Sequence, residues 1–128
     1  MPKRPEIRNF RDLEVWRLGM DVTVKVYEVS KGFPSDEKFG LTSQLRRAAA
    51  SVPANISEGH ARSSTKDYLR FIAIAIGSLA ETATFIELAA RLNFGDADEL
   101  RIIYKMTQDE RRMLRALQKS LRRRLPPA

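Results

Sequence analysis

Cysteine is absent from this 128-residue chain, and histidine occurs once, as His60. Without thiols there can be no disulfide, no thiolate metal site and no thiol catalysis, a usage that fits a reducing, cytoplasmic setting. A lone histidine in a turn is a poor basis for a Ser-His-Asp arrangement. No Glu-x-x-His pair is present to build a two-metal carboxylate site. The phosphate-cradling pattern G-x-x-x-x-G-K-[ST] is also missing. So are internal repeats, low-complexity segments and strands with period-two alternation. The first ten residues, MPKRPEIRNF, contain no apolar run of the signal-peptide kind. The uncharged segment Phe71–Ala80 is about half of the ~20 residues a membrane span requires. These absences predict a cytoplasmic, non-enzymatic protein without cofactor, metal or membrane partner.

What is present is helical periodicity. With 43% hydrophobic residues, the chain can bury one real core. Apolar residues at i, i+3/i+4 spacing predict helices over about residues 12–30, 36–59, 64–92 and 96–122, in one domain spanning 1–128 with short flexible basic termini. Asp12 is the expected N-cap of the first helix, and Gly32 and Pro34 end it. Charged residues on that helix form one narrow stripe: Glu14, Arg17, Asp21, Lys25 and Glu28. The rest is apolar or small, more than a lone bundle can cover, which predicts a subunit contact. Phe33 and Phe39 are expected to plug one end of the bundle, and Trp16 is expected in the core. Short connections between four helices give an all-α, antiparallel up-down-up-down four-helix bundle.

The second helix carries two parallel stripes. Leu41, Leu45, Ala48, Ala49, Val52 and Ile56 form a thin apolar one, which lets a neighbouring helix approach closely. Beside it lies a polar row containing Gln44, Arg47, Ser51, Asn55 and Glu58. Pro53 removes the hydrogen bond to the Ala49 carbonyl and predicts a kink. On the third helix Glu81 aligns with Ile74, Ser78, Phe85 and Leu92. That alignment predicts a partly buried carboxylate paired with Arg46, Arg47 or Asn55. On the fourth, Glu110 sits within the apolar stripe of Ile103, Met106, Met113, Leu114, Leu117 and Leu121. The expected structural polar network is thus Gln44, Arg46, Arg47, Asn55, Glu58, Glu81 and Glu110.

Net charge is +7, and it is unevenly distributed. Residues 1–17 carry +2, residues 18–104 carry −1, and residues 105–128 carry +6. On the fourth helix Arg101, Lys105, Arg112, Arg115, Lys119 and Arg122 share one face, and Arg123 and Arg124 extend it. Such a row can follow a phosphate backbone, with affinity that falls with salt and little sequence choice. Up-down-up-down topology brings the two basic ends of the chain to one pole. Exposed aromatics for base stacking are not evident, so sequence-specific single-strand readout is not expected.

Several short stretches together resemble the four-helix bundle proteins encoded in intervening sequences of bacterial 23S rRNA genes. They are Phe10-x-x-Leu13-x-Val15-Trp16, Phe33-Pro34, Gly40-Leu41 and Gln44-Leu45-Arg46-Arg47-Ala48-Ala49. Pro53-Ala54-Asn55-Ile56-Ser57-Glu58-Gly59 and Gly77-Ser78-Leu79-Ala80-Glu81 complete the pattern, which covers about residues 10–122. Relatives of that family include the accessory variability protein of diversity-generating retroelements. The resemblance implies a homopentameric barrel of four-helix subunits. For the retroelement relative it also implies nucleic-acid binding and a reverse transcriptase partner. Two departures stand out. The usual Glu-Gly-x-Gly-Arg is here Glu58-Gly59-His60-Ala61-Arg62, and a second acid expected after Glu81 is replaced by Ala83.

The functional expectation is a homo-oligomeric bundle that binds RNA, DNA or an RNA–protein complex through its basic surface. The competing expectation is a scaffold for a polypeptide partner, without nucleic-acid contact.

Overall fold

A computed structural model describes residues 7–127. Four helices follow in order: α1 (Glu14–Ser30), α2 (Leu41–His60), α3 (Thr65–Arg91) and α4 (Ala97–Arg122). Each packs on two neighbours in the cyclic order α1, α2, α3, α4, and the diagonal pairs α1/α3 and α2/α4 do not meet. This is the all-α four-helix bundle the periodicity predicts. Lys3 and Arg4, part of the expected basic terminus, lie outside the described residues.

The entry to α1 differs from expectation. Asp12 does not cap α1. A 3₁₀ turn over Phe10–Asp12 precedes the helix, and Asp12 closes a capping box there with Asn9. Its Oδ2 accepts from the Arg8 and Asn9 backbone N–H groups, at 2.8 and 3.3 Å. Those bonds, the Arg8 one foremost, hold its carboxyl below the usual carboxylate range. At the other end Phe33 is buried and leans on Phe94, ring centroids 6.0 Å apart. It seals the bundle as predicted. Phe39 does not: it is 89% exposed. A second 3₁₀ turn, Ser35–Glu37, swings the chain outward before α2 begins, so its ring projects away from the core.

α2 runs unbroken through Pro53. The Ala49 carbonyl, deprived of its N–H by the proline, accepts from Thr23 Oγ1 of α1 at 3.2 Å. All six residues of its predicted apolar stripe are buried. Gly59 lets α3 start close by: a Cβ there would fall 2.8 Å from Phe71 Cβ and 3.0 Å from Tyr68 Cδ1.

α3 is long and apolar enough to cross a membrane, by length and composition. In the bundle it buries Phe71, Ile72, Ala75, Leu79, Thr82, Ile86 and Ala89. The stripe singled out from sequence is therefore out of phase. Ile74, Glu81 and Leu92 are exposed, because alanines and Thr82 furnish much of the buried face instead.

The core divides into two apolar clusters. One gathers Leu13, Val15, Val52, Ile56, Ile72, Leu79, Leu114 and Leu121 at the pole where α1 begins and α4 ends. The other gathers Val26, Val29, Phe33, Leu41, Leu45, Ile86, Leu100 and Ile103 at the opposite pole. Glu110 belongs to neither. It is wholly buried, its Oε2 facing Gly19, where an added Cβ would lie only 2.6 Å away. Neither carboxyl oxygen has a hydrogen-bond partner among the described residues. Burial pushes its pKa up to about 8, so the embedded acid is held as the neutral carboxylic acid at neutral pH.

Candidate nucleic-acid interface

α4 owes its length to a firm start and a strongly amphipathic sequence. Asp96 caps it by accepting from the Glu99 backbone N–H at 2.9 Å, and Asp98 and Glu99 complement the helix dipole in the first turn. Leu100, Ile103, Thr107, Glu110, Leu114, Gln118 and Leu121 turn inward. The complementary face carries Arg101, Lys105, Arg112, Arg115, Lys119 and Arg122, all exposed. At 1.5 Å per residue the row from Arg101 to Arg122 extends about 30 Å.

The cations along this row are not equally committed. Arg101 pairs with Asp98 at 3.1 Å, Arg112 pairs with Asp109, and Arg115 donates to Gln118 Oε1 at 3.0 Å. Both ion pairs are exposed, where such contacts are worth roughly 0–1 kcal/mol and exchange readily for a phosphate. Lys105, Lys119, Arg122, Arg123 and Arg124 have no ion pair among the described residues. Free positive charge therefore concentrates toward the end of α4, where the helix dipole also favours it.

The neighbouring elements add to that pole. Arg62 and Arg70 flank the Phe71 ring, their guanidinium carbons 4.8 and 4.9 Å from its centroid. Arg124 lies beside the Tyr68 phenol: burial raises the hydroxyl pKa and the Arg124 charge opposes that rise. Arg8, Arg11 and Arg17 enter from the start of the chain, Arg17 donating to the Arg11 carbonyl at 2.8 Å. Among the described residues, the start of α1 and the end of α4 share a pole.

The predicted polar network is not brought together. Glu81 is exposed, and no ion pair joins it to Arg46 or Arg47 among the described residues. Arg46 turns to α1 instead, its Nε donating to Ser30 Oγ at 2.7 Å and its guanidinium lying over Tyr27 at 4.7 Å. Asn55 donates within α2 to the Ser51 carbonyl and hydroxyl, at 2.7 and 2.9 Å. Ser51 in turn meets Ser78 of α3 at 3.0 Å, a hydrogen bond that crosses from α2 to α3. Gln44, Arg47 and Glu81 line one groove together with Phe39, with no ion pair among them within the described residues. Glu58 pairs with Arg62 at 3.0 Å near the end of α2. Trp16 is half-buried rather than a core residue, packed edge-on to Phe10 at 5.2 Å. Among the described residues no cluster of three or more potential metal ligands occurs.

Over residues 11–116 the sequence matches the family model described as 23S rRNA-intervening sequence protein. The chain belongs to that family. A crystal structure of a protein of unknown function from the S23 ribosomal protein family of Bacteroides thetaiotaomicron superposes with a TM-score of 0.75. It is 23% identical, and the match covers 82% of this chain and 98% of that one. At this identity the likeness extends to the fold. No curated protein matches the sequence.

Proposed function

We propose that this 23S rRNA-intervening sequence family member is a non-enzymatic, cytoplasmic homo-oligomer that binds nucleic acid, RNA or an RNA–protein complex, through the basic face of α4. The observation that carries the reading is the row from Arg101 to Arg122, extended by Arg123 and Arg124. It is exposed along its whole length, and more than half of it lacks an acidic partner among the described residues. Because these contacts address phosphates, binding is electrostatic and tolerant of sequence.

Self-association is supported by two apolar outer faces. On α1, Met20 and Val24 are 40% and 54% exposed, and along α3 and its C-cap, Ile74, Leu88 and Leu92 are 42–48% exposed. α1 and α3 are diagonal in the bundle, so these faces look in opposite directions. A contact joining one to the other is heterologous and repeats until it closes into a ring. Five copies is the number expected from the family resemblance.

The test is a salt titration of binding to an RNA duplex of arbitrary sequence, with Arg112, Arg115 and Lys119 together changed to Glu. The wild-type chain should lose affinity steeply with salt. The variant should bind at least about tenfold more weakly with a shallower slope, each lost phosphate contact removing roughly one unit. Its helix content should be unchanged, since all three residues are exposed. Wild-type affinity that is flat in salt, or absent, would overturn the proposal. The scaffold reading draws on a shallow apolar groove of about 220 Å³ lined by Ile86, Ala90, Leu100 and Tyr104. It would prevail if one stoichiometric polypeptide co-purified without nucleic acid.

A further inference from the structure

The residue that departs furthest from its expected place is Phe39. It is 89% exposed, with Lys38 Nζ 5.5 Å from its ring centroid. It lines a groove of about 480 Å³ together with Tyr27, itself 45% exposed. Lys38, Arg46 and Arg47 supply the cations of this groove, and Thr42 and Ser43 add hydroxyls. None of the three cations is in an ion pair among the described residues. Arg46 is already fixed, stacked on Tyr27 and tied to Ser30. The closest acid in sequence, Glu37, uses its Oε2 to accept from the Leu41 backbone N–H at 2.9 Å.

An exposed phenylalanine ring beside Lys38, Arg47 and the Arg46–Tyr27 stack suits one ligand chemistry: unpaired bases on a phosphate backbone. Aromatic faces stack bases of any identity, while the cations track the phosphates. A duplex hides its bases and would leave Phe39 uncovered. The three cations on its lining favour a polyanionic occupant over the apolar face of a second copy.

We infer that the Tyr27–Phe39 groove is a stacking site for single-stranded nucleic acid, separate from the α4 row. This rests on the nucleic-acid reading above and gives it a strand preference. α2 and α4 are diagonal in the bundle, so the groove on the α1–α2 side and the α4 row address different strands or different parts of one.

The experiment is fluorescence anisotropy with a labelled oligouridylate and an RNA duplex of equal length, using the full chain and light scattering on every variant. Phe39→Ala should weaken oligouridylate binding about tenfold, the scale of one lost base stack, and leave duplex binding unchanged. Phe39→Trp should restore it. Changing Arg112, Arg115 and Lys119 to Glu should act chiefly on the duplex. Equal oligouridylate affinity with and without the Phe39 ring would overturn the inference while leaving the α4 reading intact. A changed oligomer mass in Phe39→Ala would also overturn it, by assigning the ring to a subunit contact. Duplex binding indifferent to the α4 changes would sink the α4 reading instead, with the groove judged on the oligouridylate arm alone.

Discussion

Glu110 is the residue whose chemistry departs most from its ordinary behaviour. Buried against Gly19 without a hydrogen-bond partner, it titrates near 8 in the folded chain against an ordinary 4.5. Between those values the native state binds a proton that the unfolded chain has released. The contribution of Glu110 to stability is therefore greatest below about pH 4.5, falls as pH rises, and levels off above about 8. The change at Asp12 belongs below pH 3.8 and does not enter this window. Glu110→Gln keeps the shape and removes the charge. We expect it to flatten the dependence of Tm on pH between 5 and 8 and to raise stability at pH 8 by on the order of 1–3 kcal/mol. A wild-type Tm that stays level or climbs across that interval would contradict the neutral, buried acid. The sequence reveals this residue because a carboxylate interrupts an otherwise regular apolar stripe. Glu81 gave the same signal wrongly: on α3, alanine and threonine fill so much of the buried face that hydrophobicity alone misplaces it.

At the scale of elements, the close approach of α2 and α3 depends on small residues. Ala48, Ala49 and Ala75 are buried on these two helices, and Gly59 stands where the chain turns from one to the other. Alanine at a helical glycine ordinarily gains up to about 1 kcal/mol. At Gly59 its methyl would press on Phe71 and the Tyr68 ring. Gly59→Ala should therefore destabilise by about 1–3 kcal/mol, read as a lower urea midpoint at constant slope. A midpoint that rises would mean the corner opens freely. All four helices were legible in the sequence, since their apolar periods are long and regular. Their entries were less so. Asp12 is a good cap residue by type, but its carboxyl is taken by the turn ahead of α1. The departure of Phe39 from the bundle end depends on the Ser35–Glu37 turn, which no periodic pattern encodes.

At the scale of the whole molecule, the apolar faces of α1 and α3 make a prediction that distinguishes their geometry. Val24→Asp and Leu88→Asp each place a charge on one face, and neither residue belongs to the two buried clusters. Either alone should give a monomer with native helix content by light scattering and circular dichroism. Mixed together, the two variants should form a heterodimer, because each retains the face the other has lost. Recovery of full-size rings from either variant, or no pairing in the mixture, would rule out a contact between α1 and α3. The basic α4 row was readable in advance because surface charge needs no packing to be interpreted. The exposed α3 face was hidden, since nothing in a single sequence says which apolar residues a neighbouring copy will cover.

The diagonal placement of α2 and α4 has one more consequence. In the proposed closed assembly, where α1 and α3 would take the flanking copies, one of the remaining helices would face the central hole and the other the circumference. Every copy repeats the choice, so the arginines of α4 either line a tunnel or stud a rim. A tunnel admits one threaded strand per assembly, whereas a rim lets a long polymer wind around the outside like thread on a spool.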